Sequence, residues 1–113
     1  MFDAQYILSG ALFSPWTARE GDNVVIHVDL VGITKGTLTV QLFHKNEEDD
    51  GPGRQVSIAE IEASKAGVDV VGYYGLDELV RYKFIYTLDA SNVLDHALFR
   101  MLDPVWFDTV NAG

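Results

Sequence analysis

Cysteine is absent from this sequence. That excludes disulfide frameworks, zinc–thiolate sites, iron–sulfur clusters and cysteine nucleophiles, and leaves stability to packing and hydrogen bonds. It also fits a reducing compartment. Positive charge is scarce: 8 Lys and Arg stand against 17 Asp and Glu, a net −9. Phosphate affinity needs clustered bases, and the nearest basic pair, Arg81 and Lys83, stands alone, so no nucleic-acid partner is expected. No apolar run approaches the roughly 20 residues of a membrane span, so no membrane partner is expected either. The opening residues Met1-Phe2-Asp3-Ala4 carry neither the basic region nor the apolar stretch of a secretory signal. The expectation is a protein made in the cytoplasm that stays there or assembles there into something larger.

The 113 residues fit one domain spanning 1–113, large enough to bury roughly 65% of the surface its unfolded chain exposes. With 48% hydrophobic and 22% charged residues, the composition argues against disorder.

Strand patterns dominate what is present. Gln5 to Phe13 reads as a first strand, stopped by Ser14-Pro15-Trp16 because proline cannot continue a ladder. After the turn at Glu20–Asn23, Asn23 to Val31 alternates cleanly, with Val24, Ile26, Val28 and Leu30 inward and His27 and Asp29 outward. Gly32 to Gly36 is a turn. Thr37 to His44 alternates again, with Leu38, Val40 and Leu42 inward, and the two strands are expected to form a hairpin. Lys45 to Gly53 is the most polar stretch and reads as an exposed loop. Arg54 to Ile61 resumes an extended pattern through Val56 and Ile58, while Ile61 to Ala66 suits either strand or a helical turn. Gly67 to Tyr74 carries Val68, Val70 and Val71, and a single turn is expected at Leu76–Leu79. Val80 to Leu88 places Val80, Tyr82, Phe84 and Tyr86 on one face and Arg81 and Lys83 on the other. A turn at Asp89–Asn92 and a last long strand from Leu94 to Leu102 follow, ended by Asp103-Pro104. The fold class is therefore all-β, a β-sandwich of Ig-like or jelly-roll type with about seven antiparallel strands spaced roughly 10–15 residues apart. A closed barrel is the third option.

Chemistry-bearing motifs are missing. There is no Gly-x-Ser-x-Gly elbow, Walker A loop or Gly-x-Gly-x-x-Gly, and Gly51-Pro52-Gly53 has no following helix to supply amide donors. Composition leaves open a paired-carboxylate glycosidase, but a sandwich this small rarely encloses the concave pocket that chemistry needs. The acid run Glu47-Glu48-Asp49-Asp50 lacks the alternating ligands, central Gly and distal Glu of a calcium loop, so it reads as a solvated loop. His27, His44 and His96 have neither His-x-His nor helical spacing. The expectations are no catalytic residues, no metal and no cofactor: a non-enzymatic domain. Trp16, Trp106, Tyr73 and Tyr74 are the aromatic candidates for binding, set against a core role for each tryptophan. Tyr73 and Tyr74 are adjacent, so on a strand they point to opposite faces.

Size, acidity, lack of cysteine and strand content together resemble the small β-sandwich proteins that decorate or cement the capsids of tailed bacteriophages. The phrases Leu79-Val80-Arg81-Tyr82-Lys83-Phe84 and Phe99-Arg100-Met101-Leu102-Asp103-Pro104-Val105-Trp106 are similar to small phage structural proteins. The resemblance implies a virion-surface protein, assembled in the host cytoplasm, held in many copies on a major capsid protein lattice or other protein assembly, with self-association possible. The alternative is a carbohydrate-binding or adhesion-type sandwich. From local composition, the expected partner surface holds Val105, Trp106 and Phe107, which follow a chain-breaking Asp-Pro, together with Arg100 and Arg81 for salt-sensitive contacts.

Overall fold

A computed structural model of the chain describes residues 5–56, 60–87 and 95–109. The readings made for Met1–Ala4, Ile58, Leu88, the Asp89–Asn92 turn and Leu94 lie outside the described residues.

The alternating segments become strands that pack as two antiparallel sheets. In order they are β1 (Gln5–Leu8), β2 (Ala11–Phe13), β3 (Thr17–Ala18), β4 (Asn23–Ile33), β5 (Thr37–Lys45), β6 (Arg54–Gln55), β7 (Ile61–Ala63), β8 (Gly67–Tyr73), β9 (Leu79–Thr87), β10 (Ala97–Met101) and β11 (Val105–Phe107). Several of these are halves of one interrupted row. Beside β9 run β2 and β3, beside β5 run β6 and β7, and along one side of β4 run β10 and β11. Sheet A then reads β1, β10/β11, β4, β8, and sheet B reads β2/β3, β9, β5, β6/β7. Among the described residues these eight rows, with the chain changing sheet after β1, β3, β4, β7, β8 and β9, follow the double Greek-key order of a jelly roll. The structure thus selects one of the two sandwich types expected.

Three local expectations are corrected. The segment 5–13 is not one strand: it turns a corner at Ser9–Gly10 and passes from sheet A to sheet B, where the Tyr86 amide donates to the Gly10 carbonyl at 2.8 Å. The segments Asn23–Ile33 and Thr37–Lys45 do not form a hairpin, because they lie in different sheets. Thr34 donates to the His96 carbonyl instead of closing a hairpin turn, Gly36 takes a left-handed φ of 81°, and the two apolar faces meet across the core. The Asp103-Pro104 break does not take the chain out of the sheet. The Leu102 amide donates to the His27 carbonyl at 3.1 Å, and β11 resumes pairing with β4 at Val105↔Val25. Proline is tolerated there because it sits in the interruption. Ile61–Ala63 is strand, not helix, and the Leu76–Leu79 stretch runs through bends into β9.

The inward alternation holds residue by residue. Val24, Ile26, Val28 and Leu30 of β4, Leu38, Val40 and Leu42 of β5, and Val80, Tyr82, Phe84 and Tyr86 of β9 are all buried. Each fully buried aliphatic or Phe side chain contributes about 1.5–3 kcal/mol. Phe84 and Phe99 face each other from opposite sheets with ring centroids 5.0 Å apart. Where Pro15 breaks the edge row, Ser14 keeps the ladder closed. Its amide donates to the Tyr82 carbonyl at 2.9 Å, and its hydroxyl accepts from the Tyr82 amide at 2.8 Å.

Candidate interaction surface

Because side chains alternate across a strand, burying one face of sheet A fixes what its other face shows to solvent. Ile7 (72% exposed), Val68 and Val70 (both 55%), Val105 (54%), Val31 and Phe107 all stand open on that outer face. Val31 follows Asp29 in the outward alternation of β4 and sits at a β-bulge, since Leu98 pairs with Gly32 and Phe99 with Leu30, leaving Val31 as the extra residue. Val70 lies opposite His27, and Val68 opposite Asp29. Among the described residues, little charge lies on this surface. Arg100 lies across from Asp29 on the neighbouring strand, and its Nε donates to Asp29 Oδ2 at 3.0 Å. The pair cancels its own field, so Arg100 is committed within the chain. At one end Tyr74 reaches over β4 to meet Phe107 edge-on, centroids 6.0 Å apart.

Sheet B treats its outward aromatics differently. The Arg81 guanidinium lies 4.1 Å from the Phe13 ring centroid and 4.5 Å from that of Trp16, and its Nη2 donates to the Pro52 carbonyl at 3.2 Å. Lys45 Nζ stands 4.8 Å over Trp16 and donates to the Gly51 carbonyl at 3.1 Å, while Lys83 Nζ lies 5.1 Å over Phe13. Such cation–π contacts contribute about 0.5–1 kcal/mol each at exposed sites. The acidic loop 46–53 is therefore drawn back against the sheet, with Glu47–Gly51 still exposed as the sequence implied. Gly53 makes this closure possible. Its φ is +76°, and a Cβ there would stand 2.6 Å from Trp16 Cη2 and 2.8 Å from the His44 carbonyl oxygen.

The base of that loop holds a polar pocket of about 330 Å³ lined by His44, Asn46, Asp49, Arg54 and Asp77. His44 is buried on the inward side of β5. The Asp77 amide donates toward its Nδ1 at 3.0 Å, and Arg54 Nε donates toward its Nε2 at 3.3 Å. A neutral imidazole has one unprotonated nitrogen, so it accepts fully from one of these donors, while an imidazolium accepts from neither. Burial lowers the His44 pKa below its usual 6.5; the nearby Asp77 carboxylate opposes this, and Arg54 adds to it. The other histidines are far from this pocket in the fold, His27 on the outer face of sheet A and His96 at the end where β4 turns into β5. Among the described residues no group of three or more His, Asp or Glu is placed to hold a metal ion.

The five residues expected to form one partner surface divide. Val105, Phe107 and Arg100 share the outer face of sheet A. Trp106 alternates inward and packs against the core, with its indole Nε1 buried and without a hydrogen-bond partner. Arg81 is on sheet B, the opposite side of the sandwich, occupied with Phe13 and Trp16. Of the aromatics suited to stacking on a sugar, Tyr73 is buried, Trp16 lies under two cations, and Tyr74 is openly exposed. Sequence reasoning did not identify Ile7, Val31, Val68 and Val70 as part of the surface. The signal was valine on both parities of a strand, Val24-Val25 and Val70-Val71, which marks a strand apolar on both faces. No protein-family model, curated protein or solved structure matches the chain.

Proposed function

We propose that this chain is a non-enzymatic structural protein of a virion, a decoration or cement protein that seats the outer face of sheet A on the outside of a phage-type capsid shell. The observation that supports this reading is the open apolar face itself: Ile7, Val31, Val68, Val70, Val105 and Phe107 on one side of a chain with net charge −9. A contiguous apolar patch on an otherwise charged protein marks a protein contact more often than a small-molecule site. The acids suit the opposite role. Glu47 to Asp50 are exposed in the loop drawn against sheet B, away from that face, and would keep bound copies hydrated and mutually repelling. On this reading the protein is assembled in the host cytoplasm and resides on the particle surface.

The test is co-sedimentation with capsid shells purified from the virus whose genome encodes the chain. A Val31→Lys/Val105→Lys double variant, which places charge in the middle of the contact, should lower occupancy about 100-fold or more, since each desolvated charge costs several kcal/mol. Lys83→Glu on sheet B should leave occupancy within about twofold, as rim or remote charges do. Wild-type protein that never sediments with shells would remove the reading.

A further inference from the structure

Among the described residues the two sheets end in four edge rows, and three of these consist of short strands, one of the ways natural edges are protected. In sheet B, β2/β3 is broken around Pro15, and β6 and β7 are two and three residues long. In sheet A, the described part of β1, Gln5–Leu8, is four residues long. The fourth edge, β8, carries one protective device, the charge of Asp69 opposite inward-facing Val28, but it is not interrupted. It runs seven residues without interruption, Gly67–Tyr73, and pairs with β4 along its whole length. Among the described residues its other side has no strand partner. It contains no Pro, Lys or Arg, and its one charge is Asp69.

We infer that β8 is a dimerisation edge: two copies of this chain join through antiparallel β8–β8 pairing centred on Val70. The occupant follows from self-complementarity. Residues directly opposite in an antiparallel pair share a face, so keeping each outer face continuous restricts the register to even offsets. Centring on Asp69 sets two carboxylates opposite each other, which is destabilising. Centring on Val70 uses the full strand, placing Val70 on Val70 of the second copy, Val68 on Gly72 and Asp69 on Val71. Every pair is then apolar or holds a single charge, and the small Gly72 leaves room for Val68. The two-fold axis of such a pair stands perpendicular to the sheet. Both apolar outer faces therefore turn the same way and merge into one surface of twice the width. The pairing goes beyond the shell-binding reading and does not depend on it; it would add avidity to any such contact.

The experiment measures mass by sedimentation equilibrium over a concentration series, together with oxidative cross-linking. Wild type should have twice the chain mass. Val70→Lys sets two ammonium groups opposite each other and should raise the dimer dissociation constant about 10-fold or more, with its melting temperature monitored to show that the fold is kept. Val31→Lys lies on the same outer face but on β4, one strand in from the edge, and should leave the dimer intact. The chain has no cysteine, so Val70→Cys introduces a single thiol. At the two-fold position the paired Cα atoms lie about 4.5–5.5 Å apart, within disulfide range. That variant should cross-link under mild oxidation, and Val31→Cys should not. A monomeric wild type overturns the inference, whether or not shells are bound. So does equal dissociation by Val31→Lys and Val70→Lys, which would mean face-to-face stacking, or a failure of Val70→Cys to cross-link. Shell binding by a monomer would leave the proposed function standing without the dimer.

Discussion

The outer faces of the two sheets both carry large apolar side chains, but only one leaves them open. On sheet B, cations stand over Trp16 (Lys45 and Arg81) and over Phe13 (Arg81 and Lys83), and loop 46–53 is tied against Trp16 by hydrogen bonds from Arg81 and Lys45 to its own carbonyls. On sheet A, Val68, Val70 and Val105 are each more than half exposed, and the local cation, Arg100, is turned to Asp29 instead. Apolar exposure counted residue by residue does not separate these faces: Phe13 at 43% exposed and Phe107 at 38% are nearly equal. What separates them is whether the chain supplies its own cover. The face without cover is the one on which a partner gains most by excluding water.

The largest test of that contrast is Trp106, which sits at the margin of the open face but points inward. If the ring belongs to the core, Trp106→Ala should cost about 2–4 kcal/mol, somewhat below the range for a fully buried tryptophan because the ring is half-buried. Trp106→Phe should cost about 1 kcal/mol or less. It loses area but also removes an indole N–H that is buried with no partner. Urea unfolding midpoints measure both. An unchanged midpoint for Trp106→Ala would move this ring to the outer surface and redraw the open face around it.

A smaller effect is expected from lifting the cover on sheet B. Gly53→Ala combines a left-handed φ with a clash against Trp16 and the His44 carbonyl, and should cost about 2 kcal/mol. In a Trp106→Phe background the remaining indole is Trp16, since the chain has two tryptophans. Its emission should shift to the red as the loop lifts. If stability and emission both stay as they were, loop 46–53 does not protect the aromatics, and the two faces are more alike than the geometry says.

The sequence made one layer of this legible and hid the next. Period-two alternation in 24–30, 38–42 and 80–86 identified the core side chains, because burial on one face of a strand acts on single residues. It did not reveal sheet membership. The hairpin expected between β4 and β5 is absent because a short Gly-containing connection suits a hairpin turn and a sheet-to-sheet crossing equally well. Pro104 looked like a terminator, yet β4 accepts β10 and β11 in turn along one side, and a three-residue gap hides the proline. Arg81 and Arg100 looked interchangeable as free bases. Their roles came from neighbours distant in sequence, Phe13 and Trp16 for one and Asp29 for the other. The open face left a local trace in Val24-Val25 and Val70-Val71, but only the fold shows that β8 and β4 set those valines side by side.

The smallest and most condition-dependent effect concerns the anchor of the sheet B cover. Loop 46–53 is fastened at its base by His44, whose ring nitrogens meet N–H donors from Asp77 and Arg54. Burial lowers the folded-state pKa of His44 below its usual 6.5, so the unfolded chain takes up a proton more readily than the folded one. By linkage, the contribution of His44 is complete above pH 6.5 and is lost as pH falls from there through the depressed folded value. Melting temperature should therefore decline on mild acidification. Once protonated, the ring turns an N–H on each donor, and the loop loosens. A dye that binds exposed apolar surface should then report more signal from the wild type in acid, as sheet B comes to resemble sheet A. His44→Asn puts a non-titrating acceptor near the Nδ1 position, so it should lower stability at neutral pH yet flatten the slope below 6.5. A slope that persists in His44→Asn would assign the acid sensitivity to groups elsewhere in the chain and leave the cover of sheet B independent of pH.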